Sequence, residues 1–241
     1  MRLILFMIIT AILFAGDKEA LKEDVLNDPA FQKVWYYLEN KDVPKDYIVN
    51  TFLDSGIQIY PKIIDSFNNP YEKKSWDVYR KIFITEKRLM GGIKFFKENS
   101  KLVMHVSDSM RVDPYLLVSL IGIESNYGKH YGKYTVFNAL YTQIHQLPRK
   151  VKWASRELAE FILLCHGNKI DPHSIYGSYA GAFGFGQFIP SSFNNYAIDF
   201  NGDGVRRHDE WPDVLGSIAN YLLKNGYKSD NDDYSKGSRN W

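Results

Sequence analysis

Apolar residues recur at helical spacing along most of the chain, as expected for helices that bury one face. Pro29 interrupts the first such segment, residues 19–40, and two short helices are predicted there. Further helices are predicted over residues 46–56, 76–109 with a break at Gly91–Gly92, 113–128, 154–165 and 213–225.

Two segments depart from this pattern. Residues 61–75 contain proline, paired asparagines and paired lysines, which are typical of a connector. Residues 129–140 have no clear period and are predicted to be irregular. No segment alternates convincingly like a strand, so the predicted fold class is mainly α.

Residues 113–128 include the most apolar of the predicted helices, and Glu124 is the carboxylic acid in its last turn. Asp113 is a favourable N-cap, Pro114 fits the first helical position, and Gly128 is a favourable stop. The nearly continuous apolar surface predicts burial, and desolvation and the negative end of the helix dipole both favour a neutral acid there. A protonated carboxyl near neutral pH is the proton donor of a glycosidase. A structural Glu paired with Lys or Arg, or one at the solvent edge, is the alternative.

The composition narrows the classes of protein without identifying a function. The 241 residues are 45% hydrophobic and 24% charged, as in a folded protein with a sizeable core. The formal net charge is +2 and the sequence has no dense Lys/Arg block, so nucleic acid is not an expected partner. The one cysteine, Cys165, lies in an apolar stretch and is predicted to be a buried free thiol.

Residues 1–16 are predicted to be a signal peptide or an N-terminal anchor. A basic start precedes an apolar run that is shorter than the ~20 residues needed to span a bilayer. Large residues stand where signal cleavage prefers a small one, so an uncleaved segment that attaches the protein to the membrane stays open. The predicted location is outside the cytoplasm, in the periplasm or the bacterial cell envelope.

A glycine-rich segment, residues 177–190, alternates glycines with aromatic side chains. It lacks the Gly-Lys-Ser/Thr ending of a phosphate-binding loop. Ser178 and Gln187 can both donate and accept hydrogen bonds, and backbone amides beside aromatic faces suit a neutral polyhydroxyl ligand such as a sugar chain. The alternative is a packing loop in which glycine lets helices approach closely.

Residues 199–210 match the template of a Ca²⁺-binding loop, with oxygen-bearing side chains at positions one, three and five and glycine at position six. The predicted ligands are Asp199, Asn201, Asp203, the backbone carbonyl of Val205, and either Glu210 or, in a stretched loop, Asp213. A filled site is expected to be structural, because an ion remote from the acid contributes no proton chemistry. A turn rich in Asp and Asn, without an ion, is the alternative.

Five motifs follow one another along the chain. They are Ile-Glu124-Ser125-Asn-Tyr-Gly128, Leu-Pro-Arg149-Lys150, the segment 177–190, Asp-Phe-Asn-Gly-Asp-Gly from Asp199, and Gly216-Ser-Ile-Ala-Asn220-Tyr221. In this order they resemble the lytic murein transglycosylase B family. The resemblance spans about residues 76–227 and implies a lysozyme-like core that cleaves peptidoglycan between N-acetylmuramic acid and N-acetylglucosamine. It implies Glu124 as the catalytic acid and favours Asp213 over Glu210 in the calcium loop. The sugar-binding residues that it implies are Tyr79, Ser125, Arg149, Lys150, Ser178, Gln187 and Tyr221.

The implied mechanism needs one acid. Glu124 protonates the glycosidic oxygen, and its carboxylate then removes the proton from the muramic C6 hydroxyl, which attacks C1 to give a 1,6-anhydro end without consuming water. The N-acetyl oxygen can assist, as in other substrate-assisted glycosidases. A hydrolytic muramidase would more typically need a second carboxylate, for which Asp171 and Glu157 are candidates, although neither has a helix-end setting like that of Glu124.

Three features depart from the family pattern. Lys150 stands where the family often has a second Arg, which weakens a bidentate contact. Phe183 replaces a common Met, and the family's closing Tyr-Asn motif is expected downstream of residue 241. A non-catalytic wall-binding or scaffold protein therefore stays open as a further alternative.

The predicted organisation has four parts. They are the signal or anchor (1–16), an N-terminal helical region that packs on the core (17–110), a lysozyme-like catalytic core with an EF-hand-like calcium loop at 199–213 (111–228), and a loose tail (229–241). A structural Ca²⁺ and no organic cofactor are expected. The expected partner is the glycan strand of peptidoglycan, and the protein is expected to be a monomer.

Overall fold

The computed structural model describes residues 19–68 and 75–229. The predicted signal or anchor (1–16) and residues 230–241 of the predicted tail lie outside the described residues. Within the described ranges, no helix combines the length and the apolar character needed to cross a bilayer.

Helices dominate the described residues, which confirms the mainly α class. They are α1 (19–27), α2 (Pro29–Leu38), α3 (Lys45–Phe52), α4 (Pro61–Asn68), α5 (Trp76–Phe83), α6 (Glu86–Glu98), α7 (Ser100–Met110), α8 (Pro114–Ser125), α9 (Val136–Gln146), α10 (Val151–Asn168), α11 (Pro190–Tyr196) and α12 (Trp211–Lys224). Two short antiparallel strands, β1 (Tyr134–Thr135) and β2 (Tyr176–Gly177), pair Tyr134 with Gly177 and Thr135 with Tyr176.

Two aspartates begin helices as N-caps. Asp113 Oδ1 accepts hydrogen bonds from the backbone N–H groups of Tyr115 and Leu116, at 2.7 and 2.9 Å, which confirms it as the cap of α8. Asp28 caps α2, and its other carboxylate oxygen accepts a hydrogen bond from the Tyr141 hydroxyl. The second cap therefore also joins α2 to α9.

Three predictions of local structure were wrong. Part of the expected connector, 61–75, is α4, and the expected irregular segment, 129–140, contains β1 and the start of α9. The break predicted at Gly91–Gly92 lies inside α6, and the interruptions fall instead at residues 84–85 and 99. Turn-forming residues and glycines do not break a helix where its neighbours favour a continuous one. Helix α6 contacts α8, and its two glycines lie against the Tyr127 ring that follows α8.

The core is one cluster of buried apolar side chains that extends from Val25 to Tyr227. Helix α10 packs against α2, α9 and α11, and the cluster includes residues from both sides of the predicted boundary at 110–111. The domain boundaries stay a prediction. Cys165 is fully buried, and burial raises the pKa of its thiol well above the ordinary value, so it is kept as an unreactive thiol.

Candidate active site

Helix α8 carries Glu124 next to its C-terminal residue. Half of its twelve residues are buried, but Tyr115, Ser119 and Ile123 recur at every fourth position and form an exposed face. The prediction of burial all round was therefore wrong along this face. Glu124 itself is half-buried, which allows it both contact with the protein and access from a cleft.

A tight turn follows Glu124. Asn126, Tyr127 and Gly128 have positive φ angles of 49°, 59° and 76°, so the chain reverses directly after the helix. The Ser125 hydroxyl donates to the carbonyl oxygen of Ile121 (3.2 Å) and accepts from the Gly128 N–H (3.0 Å). Because Ser125 is fully buried, it holds this turn and has no surface for a sugar, which corrects the sugar-binding role implied for it.

Tyr127, which the sequence reasoning did not single out, locks the turn against α6. Its hydroxyl donates to the carbonyl oxygen of Arg88 at 3.0 Å. A Cβ added at Gly91, Gly92 or Gly122 would lie within 2.9 Å of a Tyr127 atom. The ring therefore occupies space that only glycine leaves between the two helices. A Gly-Gly pair inside a helical pattern is the signal that could have indicated such close packing.

The glycine-rich segment contacts the same turn region through Gln187. Its side-chain Nε2 donates to the carbonyl oxygens of Tyr131 (3.0 Å) and Gly184 (2.8 Å). Gln187 also has a left-handed φ of 50°, a strained conformation for a residue with a Cβ. Because the amide nitrogen is engaged, the amide oxygen is the part of Gln187 that remains to accept a hydrogen bond from a ligand.

Aromatic rings pack the glycine-rich segment onto the turn and onto the acidic loop. A Cβ added at Gly128 would lie 3.0 Å from Trp211 and 3.2 Å from Phe185. The Phe185 N–H donates to the carbonyl oxygen of His208 at 2.9 Å. Burial lowers the pKa of His208, so the imidazole is neutral at pH 7. Three motifs that are distant in sequence therefore meet at Phe185.

Ser178 organises the other end of the segment. Its hydroxyl oxygen accepts from the backbone N–H groups of Ala180 (3.3 Å) and Ala182 (3.2 Å). Gln143 of α9 donates from its Nε2 to the carbonyl oxygen of Tyr179 at 3.1 Å. Ser178 is half-buried, and its hydroxyl hydrogen remains as a donor.

The two basic residues predicted to bind sugar differ in their surroundings. Arg149 is exposed. The Lys150 ammonium lies 4.8 Å from the centre of the Trp153 ring and 5.4 Å from that of Phe67. Phe67 in turn makes an edge contact with Tyr179, with ring centres 5.0 Å apart. Lys150 is thus held by aromatic faces beside the glycine-rich segment.

The remaining residues predicted to bind sugar are two tyrosines, Tyr221 and Tyr79. Tyr221 is 8% exposed and packs edge-on against Tyr196 (4.8 Å) and Phe188 (6.1 Å), and its burial raises the pKa of the hydroxyl. Tyr221 therefore supports the aromatic packing beneath the glycine-rich segment. Tyr79 belongs to α5, but its side chain lies outside the described residues.

The two candidates for a second carboxylate have structural partners. Glu157 is fully buried and accepts from the N–H (2.9 Å) and the hydroxyl (2.8 Å) of Ser191, at the start of α11. Asp171 lies at the surface and accepts from the His173 N–H at 2.9 Å. Glu157 anchors a helix and Asp171 a turn.

The acidic loop is held by its own carboxylates. Asp199 accepts from the backbone N–H groups of Gly202 (2.7 Å), Asp203 (3.1 Å) and Gly204 (2.7 Å). The Val205 N–H donates to Asp203 at 2.8 Å, and this bond is the first cause of a lowered pKa of the Asp203 carboxyl. Carboxylate oxygens, which hold this loop together, are also the ligands that Ca²⁺ prefers.

Asp213 closes the loop from inside. It is fully buried and accepts from the N–H groups of Phe200 (2.9 Å) and Arg207 (2.8 Å), at the two sides of the loop. Glu210 is exposed and pairs with the Arg207 guanidinium at 3.1 Å. The oxygens match the preference of Ca²⁺, although among the described residues no three His, Cys, Asp or Glu side chains are clustered tightly enough to hold a metal ion.

Comparisons with known proteins identify the family of the chain. A family model described as "Transglycosylase SLT domain" matches residues 27–234. The chain is 37% identical over 153 residues to "Membrane-bound lytic murein transglycosylase B" of Escherichia coli (strain K12), an alignment that covers 64% of this chain and 42% of that protein. The chain thus spans less than half of this relative's length.

Solved structures have the same fold. The soluble lytic transglycosylase SltB1 from Pseudomonas aeruginosa has a TM-score of 0.78 at 32% identity, covering 85% of this chain and 69% of that one. The Escherichia coli lytic transglycosylase Slt35, solved in complex with calcium, has a TM-score of 0.76 at 29% identity, covering 85% and 65%. The predicted lysozyme-like fold and the resemblance noted in the sequence are confirmed, and the chain belongs to the transglycosylase SLT domain family.

Proposed function

We propose that this chain is a peptidoglycan lytic transglycosylase that cleaves the β-1,4 bond between N-acetylmuramic acid and N-acetylglucosamine and leaves 1,6-anhydromuramic ends. Glu124 is its single general acid and base. The observation that carries the proposal is the convergence at the end of α8, where a half-buried carboxyl is followed by a turn that is hydrogen-bonded to the glycine-rich segment. Family membership supports the substrate class.

The protonated Glu124 donates its proton to the glycosidic oxygen as the bond to C1 breaks. The carboxylate that remains accepts the proton of the C6 hydroxyl as the C6 oxygen bonds to C1. One residue serves both transfers because the nucleophile belongs to the sugar. The turn held by Ser125 and Tyr127 fixes the carboxyl for both steps, since general catalysis needs the proton partners within hydrogen-bond reach.

Sugar binding is assigned to groups around the glycine-rich segment that can still donate or accept a hydrogen bond. The Gln187 amide oxygen can accept from an N-acetyl N–H or a hydroxyl, and the Ser178 hydroxyl can donate. Lys150 supplies positive charge over Phe67, whose ring contacts Tyr179, and the exposed Arg149 precedes it in the chain. Tyr221 acts by packing, because it has little exposed surface.

Two rival functions make different demands on the site. A muramidase would more typically place a second carboxylate at the scissile bond, but Glu157 and Asp171 are already engaged in structural contacts. A wall-binding protein would need no acid at the end of α8. The arrangement therefore favours the transglycosylase.

The test is a mass spectrum of the products released from purified cell-wall sacculi. Wild-type protein should give anhydro ends, which are one water lighter than reducing ends. The Glu124→Gln variant should fold normally and release nothing, while Glu98→Gln, a change at an exposed glutamate of α6, should retain activity. Reducing ends alone would establish a hydrolase, and no release by wild-type protein would favour a binder.

We also propose a structural Ca²⁺ held by Asp199, Asn201, Asp203, the Val205 carbonyl and Asp213. The support is the oxygen-rich donor set, the inward position of Asp213, and the calcium complex of Slt35. The ion would tie the two sides of the loop together and take no part in proton transfer.

The proposed location is the cell envelope, where the substrate lies. The E. coli relative is named as membrane-bound, which supports the same compartment for this chain. Export and attachment by residues 1–16 remain predictions, and fractionation with N-terminal sequencing of the mature protein checks both.

A further inference from the structure

We propose that a pocket lined by Tyr131 and by Gly184 and Phe185 of the glycine-rich segment binds a carboxylate-bearing sugar unit of the glycan. The pocket has a volume of about 430 Å³, within the range of small-ligand sites. Its walls come from the end of α10, β2, the turn region after α8 and the acidic loop. The choice of ligand rests on the proposed function.

Aromatic faces make the pocket suitable for a sugar ring. Tyr131 and Tyr176 both line it, and they are 43% and 52% exposed. The Phe185 ring lies 5.7 Å from that of Tyr131, measured between centres. Exposed tyrosines that line a concave surface provide flat apolar faces and a hydroxyl, a combination that a pyranose ring can contact on its C–H face and at its edge.

A guanidinium at the pocket gives the charge preference. The Arg206 side chain donates to the carbonyl oxygen of Asn194 at 3.3 Å and lies over the Phe193 ring at 6.0 Å. No carboxylate lies within ion-pair distance of Arg206 in the described residues, whereas Arg207 contacts both Asp203 (3.6 Å) and Glu210 (3.1 Å). Arg206 is therefore the lining cation whose charge a ligand carboxylate would compensate.

Neutral polar groups and one carboxylate, Asp209, complete the lining. The Asp209 side chain is 59% exposed and makes no ion pair with Arg206, so a ligand carboxylate would have to lie at Arg206 and away from Asp209. Asn168 donates from its Nδ2 to the carbonyl oxygen of Leu164 at 2.7 Å, which leaves its amide oxygen as an acceptor. Ser174 also lines the pocket. Aromatic faces, an amide oxygen, a hydroxyl and one uncompensated guanidinium together match an amino sugar with a carboxylate substituent, which is the chemistry of a muramyl unit.

The pocket and the proposed active site share a wall. The Tyr131 side chain lines the pocket, and the Tyr131 carbonyl accepts the hydrogen bond from Gln187 on the glycine-rich segment. Gly184 and Phe185 also line the pocket. A glycan unit held here would thus contact the segment at Tyr131 that Gln187 holds and increase the affinity of the enzyme for an intact strand.

The test uses the full chain carrying Glu124→Gln, so that no ligand is consumed. Protein labelled with 3-fluorotyrosine is titrated with the disaccharide N-acetylglucosaminyl-N-acetylmuramic acid and, separately, with neutral di-N-acetylchitobiose. The fluorine signal of Tyr176 is assigned by its loss in Tyr176→Phe. We expect it to shift with the muramyl disaccharide at about tenfold lower concentration than with chitobiose, and this preference should disappear in Arg206→Gln.

A kinetic arm uses chains with intact Glu124. Tyr176→Ala should raise KM for sacculi about tenfold with unchanged kcat, whereas Tyr36→Ala, at an exposed tyrosine of α2, should change neither. Three results would each contradict the proposed sugar site: an unshifted Tyr176 signal, an equal response to both sugars, or an unchanged KM in Tyr176→Ala. A shifted signal in a protein that cleaves no sacculi would instead refute the proposed function and leave the pocket standing.

Discussion

The glycine-rich segment and the acidic loop both contain glycines with left-handed φ angles, but for different reasons. Gly184 has a φ of 71°, and an added Cβ there would lie 2.4 Å from the carbonyl oxygen of His208. Gly202 has nearly the same φ, 75°, and an added Cβ would meet nothing within 4 Å. The first glycine is required by close packing and by φ, and the second by φ alone.

Their hydrogen bonds differ in the same way. Gln187 and Phe185 reach across the sequence to Tyr131 and His208, so neighbouring elements fix the glycine-rich segment. Asp199 bonds to residues three to five positions ahead, so the acidic loop largely fixes itself. A segment fixed by the fold can serve as a rigid wall of an active site, and a self-contained loop can be tuned by an ion.

The largest expected effect is a difference in stability between alanine variants of Gly184 and Gly202. Gly184→Ala should lower the free energy of unfolding by about 3 kcal/mol, because it combines a backbone clash with an unfavourable φ. Gly202→Ala should cost about 1 kcal/mol, from φ alone. Urea denaturation of both variants, with chelator present so that no ion contributes, measures the difference. Equal losses in the two variants would show that the segment 177–190 is not held by packing.

Chelation should affect the acidic loop next most strongly. If Ca²⁺ binds only the folded state, saturating ion should add about 2 to 3 kcal/mol of stability, since a ligand at one hundred times its Kd contributes about 2.7 kcal/mol. Thermal melts of wild-type protein with calcium and with chelator measure this gain. Asp203→Asn, which removes a predicted ligand charge, should reduce the gain. Identical wild-type melts in the two conditions would count against an occupied loop.

The smallest expected effect concerns the turn after α8. Ser125→Ala leaves the Gly128 N–H without its partner and should cost about 1 kcal/mol of stability. The looser turn should also lower kcat by about tenfold, because a small displacement of a catalytic group is costly. Ser119→Ala, at an exposed position on the same helix, is the matched control. An unchanged kcat in Ser125→Ala would remove the turn from the mechanism.

Local signals predicted the helices that have caps and strong periodicity. Asp113 and Pro114 indicated the start of α8, and α10 and α12 lie where apolar spacing placed them. Helix α4 was missed because the chain just before it is held by hydrogen bonds to residues far away in the sequence. The Thr142 hydroxyl accepts from the Tyr60 N–H at 3.0 Å, and Asn138 binds the backbone at Gly56. No pattern within residues 56–68 reveals these partners.

The motifs of the site were visible in the sequence, but their roles within it were not. Glu124 and Gln187 belong to segments that the structure brings together. Ser125 was assigned to sugar binding because a sequence motif does not show which way each of its side chains faces. In the structure Ser125 is fully buried. Tyr127 was missed because its function depends on glycines in two other places along the chain, which only the packing of α6 on α8 unites.

The most direct test of a single acid acting without water is digestion of sacculi in ¹⁸O-labelled water, followed by mass spectrometry of the muramic ends. The account predicts unlabelled anhydro ends, because the C6 oxygen of the sugar replaces the departing glycosidic oxygen. Muramic ends that carry ¹⁸O at C1 in the initial products would show that water attacks, and would contradict the account.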